Sequence, residues 1–208
     1  MYLDVSDREA WQAACKKIIY KFKKLDVLVN NAGVIIAKDI EDVSLEEWYH
    51  MVSVHMTSVF LGTKICAPFL RRAGTQSKAG SAIVNISSVS SLVAAPLDPL
   101  YSMTKGGVTL FTKSTAITFA NKGDRIRVNA VHLGVIDTQM GRKTVDLFAD
   151  RNGIEGDDER VLLSAKRHPI GRIGTTTDVA QAVLYLSSDA SAFATGSSLI
   201  IDGGLTAQ

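Results

Sequence analysis

Four short apolar runs alternate with longer amphipathic stretches, and that alternation confines the chain to a parallel sheet covered by helices. The runs are Asp26-Val27-Leu28-Val29-Asn30, Ser81-Ala82-Ile83-Val84-Asn85-Ile86, Ile126-Arg127-Val128-Asn129-Ala130-Val131 and Ser198-Leu199-Ile200-Ile201-Asp202. Near-continuous apolar runs of this length suit strands buried on both faces. The segments between them carry helix signals. Ser6 with Glu9 reads as a capping box opening a helix to Lys24, and Ser44 with Glu47 repeats the signal ahead of a long segment to about Leu70. Tyr101 to Asn121 forms another helix, ended by Gly123, and Thr177 to Ser188 a fourth, with Asp178 where a negative charge suits the helix dipole. Such an order implies right-handed crossovers and an α/β, doubly wound, mostly parallel sheet, with ligands at the carboxyl ends of the strands. At 208 residues, 46% of them hydrophobic and 21% charged, the chain can bury a substantial core and is most simply one domain spanning residues 1–208.

Charge and cysteine usage narrow the partners. A net charge of +2 with dispersed Lys and Arg argues against nucleic acid or an anionic membrane. Lys16, Lys17, Lys21, Lys23 and Lys24 cluster, but Ile18, Ile19, Phe22 and Leu25 are interleaved with them, as on the wet face of an amphipathic helix. Cys15 and Cys66 have no partner spacing that suggests metal, so no metal site and a reducing compartment are expected. With no signal-peptide pattern and no apolar run long enough to cross a bilayer, the expected location is cytoplasmic.

The residues just past the strand ends are where chemistry belongs: Asn30-Asn31-Ala32-Gly33, Ser87-Ser88 and Gly134-Val135-Ile136-Asp137-Thr138. Small residues and amides there allow close backbone approach to a flat polar ligand. Tyr101 and Lys105 add a second signal. On a helix they share a face, so the Lys105 ammonium can favour the ionised form of a phenol that otherwise titrates near ~10 and is a poor base at neutral pH. The same spacing also occurs as a half-buried aromatic beside a solvated charge.

Together with Tyr101-x-x-x-Lys105, this set resembles the short-chain dehydrogenase/reductase family, whose members are NAD(P)-dependent enzymes on a Rossmann-type sheet. The matches are co-linear: Leu3-Asp4-Val5, Asn30 through Gly33, Ser88, Arg127-Val128-Asn129, Gly134 through Thr138, Arg172-Ile173-Gly174, Asp178-Val179-Ala180, Leu186-Ser187-Ser188, Thr195-Gly196 and Asp202-Gly203-Gly204. The resemblance runs from about Leu3 to Gln208. It implies that Tyr101 exchanges a proton with the substrate oxygen, that Lys105 lowers the tyrosine pKa and holds the nicotinamide ribose, and that Ser88 fixes the reacting oxygen. It implies NAD or NADP contacts at Asp4 and Val5 for the adenine, at Asn31, Ala32 and Gly33 for the adenosine ribose side, and at Gly134, Ile136 and Thr138 around the carboxamide. Asn30 also reads as an amide bracing neighbouring strands, and Thr138 as a helix cap. The segment at about 139–169 corresponds to the family's substrate loop, with Phe148, Ile154, Leu162 and Leu163 suited to a hydrophobic pocket for a small or medium alcohol or ketone.

Departures from the family pattern accompany these matches. No Thr-Gly-x-x-x-Gly-x-Gly turn occurs in the sequence, and Met1-Tyr2-Leu3-Asp4 resembles the end of the family's third strand. The expectation is an N-terminally truncated Rossmann-like sheet, its first two strands and helices (roughly 50–60 residues) absent, with the Val27-Leu28-Val29 strand left at an edge. His55 stands where the family usually carries an asparagine that positions the lysine, and reads either as a relay or as a packing residue. Leu133 replaces the proline usual before Gly134. Two functions follow: an NAD(P)-dependent secondary alcohol/ketone oxidoreductase, or a truncated, catalytically impaired relative acting as an oligomerisation partner. The long helices from Ser44 and from Tyr101 correspond to the family's usual subunit interface, so a homodimer or homotetramer is expected.

Overall fold

Each apolar run becomes a strand of one parallel sheet, in the order of the chain. The computed structural model describes residues 1–95 and 98–208. Strands β1 (Val27–Asn30), β2 (Ser81–Ser88), β3 (Ile126–Leu133) and β4 (Ser198–Ile201) lie in the order β1-β2-β3-β4, every pairing parallel. β2 and β3 are buried along almost their whole length, as continuous apolar runs predict, and each extends two residues beyond the sequence expectation. Their register pairs Ser87 with His132 and Ser88 with Leu133, so both chains leave the sheet at the same level. Among the described residues β1 pairs with β2 alone and forms an edge.

Alternation along the strands divides the core. Leu28, Ile83, Ile126 and Val128 point toward helices α1 (Arg8–Phe22), α3 (Ser58–Gly74) and α4 (Pro99–Asn121), where they meet Trp11, Leu61, Leu70, Ala116 and Phe119. Val84, Ile86 and Val131 point the other way, onto Ala182 and Leu186 of α7 (Thr176–Ser187). Each fully buried aliphatic side chain contributes on the order of 1.5–3 kcal/mol. The two layers make the sheet doubly wound.

The helix ends show where the sequence reading holds. Ser44 and Glu47 form the expected capping box at the head of α2 (Leu45–Val52), and Thr175 with Asp178 forms another ahead of α7. Ser6 and Glu9 do not. Asp7 is the N-cap of α1, accepting from the Glu9 N–H at 2.8 Å, while the Ser6 hydroxyl donates to Asp4 Oδ1 at 2.7 Å. A carboxylate is the stronger acceptor for helix N–H groups, so the helix opens one residue later. From Ser44 the backbone stays helical to Gly74, with one wide π-helical turn at Ser53–Thr57 that carries His55.

The segment expected as the substrate loop, at about 139–169, contains α5 (Gln139–Arg151) and α6 (Asp157–Lys166). Thr138 caps α5 by accepting from the Gly141 N–H at 3.1 Å, and Asp157, Asp158 and Glu159 crowd the first turn of α6, where the dipole favours them. Val145, Ala149 and Ala165 are buried, and Arg160 pairs with Asp150 at 2.7 Å. Among the apolar residues singled out there, Leu162 is exposed; Phe148, Ile154 and Leu163 are half-buried, with Arg167 stacked 4.2 Å from the Phe148 ring.

Cys15 and Cys66, unrelated by sequence spacing, meet between α1 and α3 with their sulfurs 3.4 Å apart; both are free thiols. Among the described residues no group of three or more His, Cys, Asp or Glu is placed to hold a metal ion, and no helix is long and apolar enough to cross a membrane.

Candidate active site

The carboxyl ends of β2 and β3 and the first turns of α4 bring three of the predicted side chains together. Ser88 is the last residue of β2, and its Oγ accepts from the Ser90 N–H at 3.1 Å. The same hydroxyl hydrogen-bonds the phenol of Tyr101. Lys105, one turn along α4, lies under the Tyr101 ring with Nζ 5.5 Å from its centroid, and donates to the Ile86 carbonyl at 2.9 Å. That carbonyl belongs to β2, two residues before Ser88. The sheet end and the helix are thus tied by the lysine itself.

Electrostatics in this cluster are set by burial. The Lys105 side chain is 4% exposed, and loss of water pulls its ammonium down to about 8. The sequence leads one to expect that Lys105 lowers the Tyr101 pKa. Burial wins and pushes the phenol up to about 12; the Ser88 hydrogen bond opposes that rise, and the negative charge of Asp98 adds to it. The phenol is therefore protonated at neutral pH. It is poised as an acid.

His55 is a packing residue of a particular kind. It is 1% exposed, its ring stands edge-on to Tyr101 at 5.3 Å, and both ring nitrogens are engaged. Nε2 accepts from the Val34 N–H at 2.9 Å, which assigns the proton to Nδ1, and Nδ1–H donates to Thr104 Oγ1 at 2.8 Å. Thr104 in turn donates to the Tyr101 carbonyl at 3.0 Å. Burial first, then the nearby Lys105 charge, hold the His55 pKa near 3, so the ring is neutral. With no free nitrogen, it clamps the loop after β1 to α4.

Behind Ser88 lies a hydroxyl-lined wall of which sequence reasoning singled out Ser87 alone. Ser87 Oγ and Thr109 Oγ1 are 2.9 Å apart and both donate toward the Lys105 carbonyl; Ser91 Oγ donates to the Ser88 carbonyl at 2.6 Å and meets His132 Nδ1 at 2.9 Å. Asp98 was also missed, although Asp-Pro ahead of a helical pattern is a recognisable N-cap signature; the sequence expectation opens this helix at Tyr101, two residues too late.

The remaining predicted residues divide. Gly33 sits beside the cluster: a Cβ there would lie 3.3 Å from His55 Nε2 and 3.8 Å from Lys105 Nζ. Asn31 and Ala32 are exposed at the end of β1. Gly134 follows Leu133, the register partner of Ser88, and any Cβ on it would come within 3.0 Å of Asp202 Cα and His168 Nε2. Ile136 is buried and bridges Gly174; Thr138 is exposed and caps α5. Asp4 and Val5 are engaged locally, Asp4 with Ser6 and the Val5 carbonyl with Trp11 Nε1 at 2.8 Å. Asn30 braces the strands, donating to Asn85 Oδ1 at 2.8 Å.

A doubly wound parallel sheet with a serine, a tyrosine and a lysine gathered at its carboxyl edge belongs to the class of Rossmann-like α/β enzymes. A family model described as Enoyl-(Acyl carrier protein) reductase matches residues 1–206. The chain is 39% identical over 208 residues to cyclopentanol dehydrogenase of Comamonas sp. (strain NCIMB 9872), covering 100% of this chain and 76% of that protein. It is 36% identical to the NADP-dependent (R)-specific alcohol dehydrogenase of Lentilactobacillus kefiri, covering 99% and 75%. Ligand-free aldohexose dehydrogenase of Thermoplasma acidophilum superimposes with a TM-score of 0.89 at 30% identity, covering 100% and 78%. The chain belongs to the short-chain dehydrogenase/reductase family and is an oxidoreductase by family.

Proposed function

We propose that this chain interconverts a secondary alcohol and a ketone with NAD or NADP, Tyr101 acting as the acid and base. The observation that carries this reading is the Tyr101 phenol held between the Ser88 hydroxyl and the buried Lys105 ammonium. The residues present fit a dinucleotide. Among the described residues Lys105 Nζ has one hydrogen-bond partner, Ile86 O, which leaves two buried N–H donors for the ribose hydroxyls. The bare backbone at Gly33 keeps the approach to Nζ open. Gly134, Ile136 and Thr138 stand past β3 where the carboxamide would be held, with Asn31 and Ala32 on the ribose side, and Asp4 and Val5 toward the adenine.

When bound, the dinucleotide supplies or accepts the hydride. In the reducing direction the Tyr101 phenol gives its proton to the carbonyl oxygen while the Ser88 hydroxyl hydrogen-bonds that same oxygen and fixes its distance from the phenol. The Lys105 cation stabilises the phenolate that results. In the oxidising direction that phenolate takes the alcohol proton. The relatives named for cyclopentanol and for (R)-alcohols support a small or medium secondary alcohol as substrate.

The test is titration of purified, folded protein with NADH and NADPH, followed by oxidation of cyclopentanol read at the nicotinamide absorbance. Cofactor-dependent turnover that Tyr101→Phe abolishes supports the reading. A folded chain that neither perturbs dinucleotide fluorescence nor turns over sinks it and favours the oligomerisation-partner alternative.

A second copy of this chain is the partner we assign to the outer face of α3 and α4. By resemblance these long helices correspond to the family's usual subunit interface, and the face carries an apolar groove of about 320 Å³ lined by Met56, Val59, Phe60, Val108 and Phe111. Leu110 and Ile117 are exposed beside it. The free thiols fit a reducing compartment, and the cytoplasm is the location we assign.

A further inference from the structure

The loop that follows β1 passes beside Lys105 and is fastened to the catalytic helix at two points. The first is His55, which takes the Val34 N–H and reaches α4 through Thr104. The second is Asp98. Its carboxylate is 3% exposed and divided between two tasks: Oδ1 accepts from the Tyr101 N–H at 2.9 Å as the N-cap of α4, while Oδ2 accepts from the Ala37 N–H at 2.9 Å and the Ile36 N–H at 3.3 Å. No other side chain among the described residues joins the first turn of α4 to Ile36 and Ala37.

The backbone of that loop bears the mark of the fastening. Ala37 has φ +63°, in the left-handed region that side chains with a Cβ rarely occupy. Such a conformation persists where neighbouring groups over-determine it. Here the N–H of Ala37 is directed into a buried carboxylate, a charge-assisted hydrogen bond of roughly twice the strength of a neutral one. Helix capping alone does not require this arrangement. Serine or asparagine caps a helix as well as aspartate does, with a single acceptor.

We propose that Asp98 is a positioning residue that locks the loop at residues 33–37 to the N-terminus of the catalytic helix, holding Tyr101 in register with the dinucleotide side of the site. The proposal rests on the alcohol/ketone reading above, since register matters to turnover only if Tyr101 transfers the proton. One carboxylate oxygen secures the helix that carries Tyr101 and Lys105. The other secures the loop whose Gly33 stands beside the Lys105 ammonium. A shift of either relative to the other changes the distance between the phenol and the reacting oxygen, where a displacement of about 1 Å can lower the rate by about a hundredfold.

Asp98→Ser separates the two tasks, because the shorter hydroxyl retains the cap on the Tyr101 N–H and abandons the loop. Amide hydrogen exchange, thermal melting and steady-state kinetics with cyclopentanol are measured on this variant, on Asp98→Asn and on the wild type. The expected result is faster exchange at Ile36 and Ala37 with protection retained at Tyr101. The melting temperature should stay within a few degrees of wild type, and kcat should fall on the order of 10- to 100-fold with little change in KM for the alcohol. Asp98→Asn presents an N–H to the same loop amides and should show the same faster exchange. A purely structural cap predicts instead that Asp98→Ser matches the wild type in both exchange and kcat, which overturns the proposal; so does loosened exchange with kcat unchanged. If the wild type itself shows no turnover, the alcohol/ketone reading fails separately. Exchange then decides the bridge, and unchanged protection at Ile36 and Ala37 overturns it.

Discussion

Replacing Lys105 by methionine should make the protein more stable and inactive at once. The ammonium is buried, and its pKa falls from 10.5 to about 8, a difference equivalent to about 3 kcal/mol favouring the neutral amine in the fold. Below pH 8 the folded and unfolded chains both carry the charge, so the folded state bears that whole penalty. Methionine is of similar length, carries no charge and fills the same space; it forfeits the hydrogen bond to Ile86 O, worth about 1 kcal/mol. The net gain at pH 7 is about 2 kcal/mol, or roughly 4–8 °C in Tm for a chain of this size. The sign of the pH dependence follows. Between pH 8 and 10.5 the folded lysine gives up its proton before the unfolded one does, so wild-type stability climbs with pH and the advantage of methionine disappears. Above pH 10 Tyr101, raised to about 12, keeps its proton in the fold and subtracts from both proteins alike. Thermal melts of the two proteins at pH 7, 8, 9 and 10 check this. A methionine variant no more stable than wild type at pH 7, or a difference that is flat with pH, refutes the reasoning.

Three further outcomes are expected. His55, neutral with a pKa near 3 in the fold against 6.5 unfolded, should make stability fall by about 1.4 kcal/mol per pH unit below pH 6.5; His55→Gln should flatten that slope in urea titrations, leaving the part due to His132, which burial also lowers. Gly74→Ala should cost about 1–3 kcal/mol, read as a lower Tm, because a Cβ there collides with the Arg125 carbonyl, a backbone atom that cannot turn aside. Leu110→Asp, on the exposed face of α4, should convert the oligomer to monomer in light scattering while leaving the circular dichroism unchanged; a wild type already monomeric removes the interface assigned to that face.

The sheet was legible because β2 and β3 are buried on both faces, and burial writes itself as unbroken apolar runs. The meeting of Ser88, Tyr101 and Lys105 was legible through the family resemblance. What the sequence hid were interactions that depend on one atom rather than on a pattern. Asp7 displaced the expected Ser6 start, since a carboxylate outcompetes a hydroxyl for helix N–H groups, and Asp98 with Pro99 opened α4 ahead of Tyr101. The effect of Lys105 on Tyr101 was hidden for another reason: spacing reports proximity, whereas the phenol's proton affinity is decided by how much water burial removes. The helices at 139–166 escaped notice because their buried face is made of small residues, Val145, Ala149 and Ala165, among many charges.

The bridge from Asn30 to Asn85 bears on how the chain finds its sheet. Leu28-Val29 would fit beside Ala82-Ile83 or Ile83-Val84 almost equally well by hydrophobicity, and parallel pairing between distant segments forms slowly. Only one alignment brings the two amides opposite each other, with Asn85 also donating to Thr112 Oγ1 of α4 at 2.8 Å. A slip by one residue strands both amides in the core, at a cost of roughly 1–3 kcal/mol for each unmet group. The pair therefore selects one alignment of β1 on β2, and through Thr112 it ties that alignment to the helix that carries Tyr101.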